Sequence, residues 1–408
     1  MTGDAAGDAA GDAAGDTSDA ATGDRLRGAD AATVRRALAD RDPFPGGAGF
    51  AGRVAAGGAS FMNREGGGGP RLVRDVLGRQ PIFVERDASD PTASEAWSFD
   101  PTTLTDPEAL PAGTTASPSG ERTTAWTLPD PPAADPEPAQ AAVTEAVTAA
   151  VEAVGDADAG ATAVAFSGGV DSALAATGVP DAPCYVAGFE GSHDLSAARE
   201  AAAEMDRELR VVELTHADLE RAVPELVAAT GRSNAMDLNI ALPLYLTAEA
   251  VAADGFERLV VGQGADELFG GYSKVVEPAA DHRVDADTVR GARRETMLTL
   301  PAQLARDVLA LRAAGVEPVA PFLDDRVVAA ALELPGDLLA TPDERKVALR
   351  RAARGAVPES VRTADKKAVQ YGTYVARELD RLARQAGFKR RMDDHVGQYV
   401  DALVAGEV

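Results

Sequence analysis

The stretch ATAVAFSGGVDSALAA, residues 161–176, decides the fold of this 408-residue chain. An apolar run over 161–166 predicts a buried strand, two glycines follow Ser167, and Asp171 and Ser172 begin a helix. The glycines allow successive backbone N–H groups to turn toward one oxyanion, and the start of the helix adds partial positive charge. The stretch therefore predicts a phosphate-binding strand, loop and helix; the alternative is an ordinary turn capped by Asp171.

The sequence around this loop alternates short β-branched runs with longer helical patterns, which is typical of a parallel sheet covered by helices. Strands are predicted at 161–166, 184–189, 209–214 and 258–261, and helices at 139–153, 172–177, 194–207, 217–229 and 236–253. Beyond residue 285 the pattern is almost wholly helical. We therefore expect an α/β fold over 139–408, with a doubly wound, mostly parallel sheet and a helical C-terminal region.

The loop lacks the lysine of a Walker A motif, so the charge of a bound phosphate falls to backbone groups, hydroxyls and a cation. In a doubly wound sheet, ligands lie at the carboxyl ends of the strands. The predicted nucleotide contacts of the first two strand ends are Phe166, Ser167, Gly168, Gly169, Asp171, Ser172 and Ala187. Phe166 and Ala187 are expected to flank an adenine ring, with a packing role for both as the alternative.

A second glycine-rich turn follows the strand at 258–261 and carries two adjacent carboxylates. The stretch is VVGQGADELFGGYSK, residues 260–274, with Gly262 and Gly264 around the turn. Asp266 and Asp171 would then follow different strands of one sheet, and hard oxygen ligands suit Mg²⁺ bound to phosphate. The sequence predicts that both aspartates bind Mg²⁺; alone, the second turn would read as a simple helix N-cap with acidic residues near the helix dipole.

The N-terminal third of the chain has a different character. Residues 1–24 repeat the unit GDAA and contain no aromatic residue and no valine, leucine or isoleucine, which predicts a disordered acidic tail. Residues 25–138 show short apolar pieces among glycine, proline, serine and threonine, which predicts a small β-rich domain that ends in the linker PDPPAADPEP. Two strands around a turn at Gly78 are expected within 71–86.

Composition excludes several classes of function. The formal net charge is -25, from 65 acidic and 40 basic residues, so binding to nucleic acid is not expected. Only five of the 40 basic residues are lysines, which with the acidic surplus suggests a halophilic source.

Cys184 is the sole cysteine, which fits a reducing cytoplasm and excludes an internal disulfide. No run of about 18 apolar residues predicts a membrane span, and the four histidines lack metal-site spacing.

The motif SGGVDS matches the PP-loop of ATP pyrophosphatases, which cleave ATP between its α and β phosphates. Followed by GQGADELFGGY, it resembles asparagine synthetase and its relatives, which include β-lactam and lasso-peptide synthetases. The resemblance extends over roughly 139–386. It also rests on PLYLTAEA (243–250), APFLDDRVVAAALELP (320–335), KVALRRAARGAVPESV (346–361) and DKKAVQYGT (365–373).

This resemblance implies that the first loop binds ATP and that Asp171 and Asp266 bind Mg²⁺. It also implies a catalytic lysine near the reacting phosphate, which would match Lys366, or Lys367 if the register slips by one. One position departs from the family, because many members carry glutamate where this chain has Gln263. That carboxylate is thought to position or deprotonate the attacking amine, and an amide cannot act as a base.

Part of the N-terminal region resembles the later half of the glutaminase domain of asparagine synthetases. The matching stretches are LVRDVLGRQPIFVE (72–85), ASEAWSFD (93–100) and ALPAGT (109–114). That domain begins with a nucleophilic cysteine, whereas Thr2 follows Met1 here, so we expect a degenerate domain without glutaminase chemistry. Nitrogen would then come from free ammonia, a separate glutaminase subunit or an amine of the substrate; a homodimer is left open.

The resemblance implies an ATP-dependent ligase that activates aspartate as an acyl-adenylate, releases pyrophosphate and forms asparagine with ammonia. Gln263 and the degenerate domain favour a related ligase for another carboxylate and amine as the alternative. Two further hypotheses are a PP-loop enzyme that modifies tRNA and a non-catalytic ATP-binding homologue. The first is disfavoured by the acidic charge and the single cysteine, the second by the intact Asp171 and Asp266.

Overall fold

The N-terminal part is built from two antiparallel sheets and one helix. The computed structural model describes residues 16–19, 23–55, 69–155, 160–364 and 371–408. A six-stranded sheet has the order β1-β2-β3-β4-β8-β9, and a three-stranded sheet has the order β6-β5-β7. The elements are β1 (Asp16–Asp19), β2 (Asp24–Arg27), α1 (Ala31–Asp40), β3 (Ala51–Val54), β4 (Arg71–Arg74), β5 (Phe83–Glu85), β6 (Trp97–Ser98), β7 (Pro107–Ala109), β8 (Thr114–Ala116) and β9 (Arg122–Thr124).

One expectation for this part needs correction. Strand β1 lies inside the stretch 1–24 that was expected to be disordered, and it pairs antiparallel with β2. Backbone pairing needs no apolar side chains, so composition alone did not reveal this strand; residues 1–15 lie outside the described ranges. The two strands expected around Gly78 are present as β4 and β5, which confirms that prediction, and they belong to different sheets.

The rest of the chain forms a five-stranded parallel sheet with helices on both faces, which confirms the predicted α/β class. The sheet has the order β12-β11-β10-β13-β14. Its strands are β10 (Thr162–Ala165), β11 (Cys184–Gly188), β12 (Leu209–Glu213), β13 (Arg258–Val260) and β14 (Glu317–Val319). The four predicted strands are all present, whereas β14 was missed because it is three residues long and contains Pro318.

The helices agree with the predicted pattern and add several short ones toward the C-terminus. They are α2 (Pro136–Glu152), α3 (Val170–Ala176), α4 (His193–Glu204), α5 (His216–Thr230), α6 (Ala235–Ala253), α7 (Ala265–Phe269), α8 (Val289–Leu298), α9 (Leu300–Ala313), α10 (Asp325–Leu332), α11 (Gly336–Leu339), α12 (Val347–Ala352), α13 (Glu359–Thr363), α14 (Tyr371–Gln385) and α15 (His395–Ala405). No helix in the described part of the chain is long and apolar enough to cross a membrane.

The two faces of the parallel sheet bury alternate side chains of the same strands. Val164 and Val260 pack in the cluster that includes α2 and α4, whereas Ala163 and Leu259 pack in the cluster that includes α6 and α9. This is the two-residue period of a strand that is buried on both faces. The apolar runs that predicted these strands therefore reflect the helices packed on either side.

The core that contains α2 continues without a break into the N-terminal sheets. Trp126 and Leu26 belong to the same buried cluster as Val143 of α2. Arg79 adds a buried ionic link, because its guanidinium pairs with Asp75 at 2.8 Å and with Asp325 at the start of α10 at 2.6 Å. The six-stranded sheet thus shares one hydrophobic cluster with one face of the parallel sheet, while a separate buried cluster lies between the two N-terminal sheets.

Candidate active site

The strand order places the two glycine-rich loops next to each other. Strands β10 and β13 are adjacent and parallel, with Val164 opposite Val260. The chain leaves β10 toward β11 on one side and returns through β13 toward β14 on the other, so the two strands flank the point where the strand order reverses. Ligands of open α/β sheets bind in the crevice at this point. The loops that carry Asp171 and Asp266 both begin there.

The first loop is held in shape by its own hydroxyl groups and by close packing. The Ser172 hydroxyl accepts from the Ser167 backbone N–H at 3.1 Å and donates to the Gly169 carbonyl at 3.1 Å. Gly168 has a positive φ of 75°, and a Cβ there would lie 2.7 Å from the carbonyl oxygen of Ala197 in α4. Ser172 therefore maintains the loop, and Gly168 allows it to approach α4.

The second loop depends on glycine in the same way. Gly264 has a φ of 88°, and a Cβ there would lie 2.5 Å from Cδ2 of Leu323. A Cβ at Gly262 would lie 3.2 Å from the Cβ of Asp171, which shows how closely the two loops approach. The sequence analysis selected both glycines for a nucleotide site, and the structure places Gly262 against the first loop.

A buried lysine joins the two loops. Lys346, immediately before α12, lies with its Nζ 2.5 Å from Oδ2 of Asp171 and 2.7 Å from Oδ1 of Asp266. The lysine side chain is 4% exposed and the two aspartates are 20% and 22% exposed. Burial lowers the pKa of Lys346, but the two carboxylates more than offset it, so its pKa is raised. The side chain is a fixed ammonium group at the crevice.

Lys346 is not among the site residues predicted from the sequence. The lysines predicted were Lys366 and Lys367, which lie outside the described residues and stay predictions. The available signal was that Lys346 is one of only five lysines and begins a stretch, 346–361, that matches the family. The chain gives Lys346 a positive φ of 58°, which is uncommon for a residue with a side chain. The surrounding structure holds this conformation, which places Nζ between the carboxylates.

The donors present fit Mg²⁺ in the presence of phosphate. Oδ1 of Asp171 is buried and has no hydrogen-bond partner among the described residues, so it is free to bind a cation. Within the described ranges no group of three or more histidine, cysteine, aspartate or glutamate side chains forms a metal site. Mg²⁺ commonly takes only one or two carboxylates together with phosphate oxygens and water. Asp171 and Asp266 match that donor set.

Glu267, next to Asp266, has a different environment. It is buried, and the Tyr272 hydroxyl donates a hydrogen bond to its Oε1. Burial, followed by the charge of Asp266, raises the pKa of Glu267. Glu267 and Tyr272 thus form a buried pair that supports the loop.

Gln263 points toward a chain of charged groups on α6 and α9. Its side chain lies beside the carboxylate of Asp307, whose Oδ1 accepts a 2.8 Å hydrogen bond from Arg306. Arg306 also donates to Asp237 at 2.8 Å, and Asp237 is bonded in turn by Arg232 at 3.0 Å. Sequence analysis noted Gln263 but had no local signal for the groups around it.

Phe166 and Ala187 lie in the interior. Each is 1% exposed, and the Phe166 backbone N–H donates to the carbonyl of Tyr185. Ala187 is paired with Val212 of β12. Both residues lie at the carboxyl ends of their strands, and their contact with an adenine ring stays a prediction.

The model of the family described as asparagine synthase matches residues 142–298 and 277–404, which together cover more than half of the chain. The chain belongs to the asparagine synthase family. Its parallel sheet, both glycine-rich loops and Lys346 all fall within the matched residues. The resemblance seen in the sequence is therefore confirmed at the level of the family.

This asparagine synthase family member is similar to curated proteins over part of its length. It is 28% identical over 273 residues to the putative asparagine synthetase [glutamine-hydrolyzing] 1 of Methanocaldococcus jannaschii, covering 58% of this chain and 50% of the relative. It is 26% identical over 155 residues to asparagine synthetase B [glutamine-hydrolyzing] of Escherichia coli, covering 38% of this chain and 27% of the relative. The chain thus spans half or less of the length of these relatives.

Among solved structures, the chain is similar to the NH3-dependent NAD synthetase of Campylobacter jejuni, with 12% identity and a TM-score of 0.27. The match covers 67% of this chain and 95% of the other.

Proposed function

We propose that this chain is an ATP-dependent amide ligase that activates the side-chain carboxylate of aspartate as an acyl-adenylate and converts it with ammonia to asparagine. The observation that carries the proposal is the convergence of Asp171, Asp266 and Lys346 at the carboxyl ends of β10 and β13. Two acidic groups from separate loops, joined by one buried ammonium group, are suited to bind a polyphosphate together with Mg²⁺. Family membership supports the same chemistry.

Each group at the crevice has its own role in binding ATP and activating the acid. The backbone around Gly168 and Gly169 would receive the phosphates of ATP, and Asp171 and Asp266 would hold Mg²⁺. The metal, when bound, supplies positive charge to the departing pyrophosphate. Lys346 adds a fixed positive charge at the same place. The substrate carboxylate attacks the α-phosphorus, a carbon–oxygen–phosphorus link forms, and pyrophosphate leaves with the electron pair of the broken bond.

A related ligase with another acid and amine is the second candidate, and the surroundings of Gln263 favour it. The charged groups beside Gln263 include two arginines, Arg306 and Arg232. Each already forms ion pairs with aspartate side chains. They offer no spare guanidinium for the α-carboxylate of a free amino acid. An acid without a second carboxylate would suit this surface better.

The nitrogen donor is proposed to be free ammonia, with a separate glutaminase subunit as the alternative source. A homodimer is a further proposal. The first proposal follows from the N-terminal region, which resembles a glutaminase domain but has Thr2 after Met1 in place of a cysteine nucleophile.

The first test measures pyrophosphate release by the purified protein in high salt with ATP, Mg²⁺ and ammonium, with and without aspartate. Aspartate-dependent pyrophosphate with an equal amount of asparagine is the expected result. Pyrophosphate release that depends on another acid in a panel of carboxylic acids would support the second candidate. No release with any acid would contradict both. Asp266→Asn serves as the inactive control, because it removes one of the two carboxylates at the crevice.

A further inference from the structure

Asp307 brings a carboxylate from α9 to the second loop. It is buried and lies beside the side chain of Gln263, on the same loop as Asp266. It is also close enough to Tyr272 for its charge to raise the pKa of that phenol, after burial and Glu267. The sequence gives no motif for this placement, since α9 follows the loop only after the intervening α8.

Formation of an amide from an activated acid needs a proton acceptor near the nitrogen. The nitrogen becomes positively charged as the carbon–nitrogen bond forms, and it must lose a proton to give a stable product. Gln263, which lies on the loop at the carboxyl end of β13, carries an amide that cannot take up a proton near neutral pH. The proton must therefore go to another side chain or to water.

The carboxylates of the two loops are already engaged. Asp171 and Asp266 both pair with the ammonium group of Lys346, and the second oxygen of Asp171 is the one proposed above to bind Mg²⁺. Glu267 is buried and accepts a hydrogen bond from the hydroxyl of Tyr272. None of these three carboxylates is placed to receive an amine beside Gln263.

The two carboxylates on the helices differ from each other. Asp237 is saturated, because Arg232 and Asn234 both donate to its Oδ2 and Arg306 donates to its Oδ1. Asp307, in contrast, accepts from Arg306 through Oδ1 and also accepts from the neutral side-chain amide of Gln263. Among the described residues, its Oδ2 has no charged partner.

We propose that Asp307 receives the nitrogen nucleophile beside Gln263 and takes up its proton during amide formation. This inference rests on the proposed ligase function and assigns the proton acceptor of that reaction. The side chain would act directly on the nucleophile, while Gln263 contributes a neutral hydrogen bond to the same atom.

The step balances as follows. The nitrogen lone pair attacks the carbonyl carbon of the acyl-adenylate, and the new carbon–nitrogen bond leaves a positive charge on nitrogen. Oδ2 of Asp307 takes one proton from that nitrogen. The bond between the carbonyl carbon and the phosphate oxygen breaks, and AMP leaves with the electron pair. The proton on Asp307 then passes to solvent, which restores the carboxylate.

The environment of Asp307 suits this role. Burial raises its pKa, while Arg306 and Gln263 act in the opposite direction. A carboxylate with a raised pKa is a stronger base than one in water. Arg306 also holds Oδ1, so the orientation of the second oxygen is fixed before the nucleophile arrives.

The test compares ammonium with hydroxylamine as the nucleophile, using ATP, Mg²⁺ and the acid that supports pyrophosphate release. Hydroxylamine is largely uncharged at neutral pH and depends less on a protein base. We expect Asp307→Asn to lower amide formation from ammonium about 100-fold and from hydroxylamine less than about 10-fold. The rate of adenylation, measured as exchange of labelled pyrophosphate into ATP, should stay within about 2-fold of the wild-type rate. Adenylation precedes attack by nitrogen, so it does not need the proton acceptor.

Three further variants keep the result interpretable. The double variant Gln263→Glu with Asp307→Asn returns a carboxylate to the same place and is expected to recover ammonium use at least 10-fold over Asp307→Asn. Asp237→Asn removes the other carboxylate on Arg306, and it should leave the ratio of the two nucleophile rates unchanged. If Asp307→Asn does not fold, the ratio is measured in Asp307→Glu, which keeps Arg306 paired but displaces the carboxylate.

The outcomes separate this inference from the proposed function. If no acid in the panel supports pyrophosphate exchange by the wild-type protein, both the ligase function and the role of Asp307 are overturned. A wild-type protein that is active, with an unchanged ratio of nucleophile rates in the Asp307 variants, would overturn the role of Asp307 alone. If the Asp307 variants lose the same factor in amide formation from ammonium, in amide formation from hydroxylamine and in pyrophosphate exchange, Asp307 has only a structural role.

Discussion

Nζ of Lys346 lies 2.5 Å from Oδ2 of Asp171, although 175 positions separate the two residues in the chain. The lysine is thus a direct connection between the C-terminal helices and the first loop of the parallel sheet. It also contacts Asp266, so one side chain fixes the distance between the two carboxylates. This arrangement leads to the first prediction.

Replacing Lys346 with methionine should leave two carboxylates facing each other in a largely buried crevice. We expect pyrophosphate formation to fall at least about 100-fold and the protein to lose about 3 kcal/mol of unfolding free energy in the absence of Mg²⁺. Mg²⁺ should then raise the Tm of Lys346→Met more than that of the wild type, because the cation replaces the lost positive charge. Lys389→Met, at an exposed lysine, is the control for charge removal. Equal Mg²⁺ responses in all three proteins would contradict this view.

Gly264 is predicted to be sensitive to the smallest possible side chain. Gly264→Ala places a Cβ 2.5 Å from Leu323 at a φ of 88°, so the second loop must move. Gly255→Ala is a matched control, because Gly255 has a φ of 86° and no atom within 4 Å of its added Cβ. Both variants should lose about 1 kcal/mol from backbone strain. Only Gly264→Ala should lose pyrophosphate formation as well; the comparison combines denaturant unfolding with the activity assay.

The buried pair between Arg79 and Asp325 is predicted to link the N-terminal sheets to the rest of the fold. Arg79→Met leaves Asp75 and Asp325 buried without their cation and is expected to cost about 3 to 5 kcal/mol of unfolding free energy. Denaturant unfolding should remain a single transition, since the six-stranded sheet and the parallel sheet both contribute to one buried cluster.

Arg86→Met provides the comparison for the Arg79 experiment. Arg86 forms an exposed pair with Asp106, in which both side chains are more than half exposed, and its removal should not change the unfolding midpoint measurably. Two separate transitions in the wild type, or equal effects of the two arginine variants, would show that the N-terminal sheets fold independently.

Cys184 is predicted to report unfolding. Its thiol is buried in β11, and burial raises its pKa to about 11. The reactive thiolate is therefore scarce below that pH, and access is blocked in the native state. Alkylation by iodoacetamide at pH 8 should be at least about 100-fold slower in native protein than in denaturant. Mass spectrometry measures one site per molecule, because no other cysteine is present. Fast labelling of native protein would contradict the buried position.

The two loops were predictable because each carries its own local pattern. SGGVDS and GADELFGGY each follow an apolar strand and begin a helix, so the order of strands was enough to bring Asp171 and Asp266 together. Lys346 and Asp307 belong to helices far along the chain, and their partners are set by packing of the helices rather than by spacing in sequence.

Some secondary structure was missed for similar reasons. Strand β14 has three residues, includes Pro318, and is defined by its pairing with β13. Strand β1 consists of Asp16–Asp19, a polar stretch whose only visible reason to be a strand is its pairing with β2. In both, backbone hydrogen bonds to a neighbour decide the conformation, and composition carries little of that information.

The order of strands in the parallel sheet has a consequence for synthesis of the protein. Strands β10, β11 and β12 come first in the chain and make up one side of the sheet, complete with the first loop. Asp266 is translated later and Lys346 later still. A nascent chain emerging from the ribosome can therefore begin to fold around half of the sheet while it still lacks Asp266, one of the two carboxylates proposed to hold Mg²⁺, and Lys346. Competence to bind nucleotide would arise only near the end of translation, so an unfinished chain would not sequester ATP.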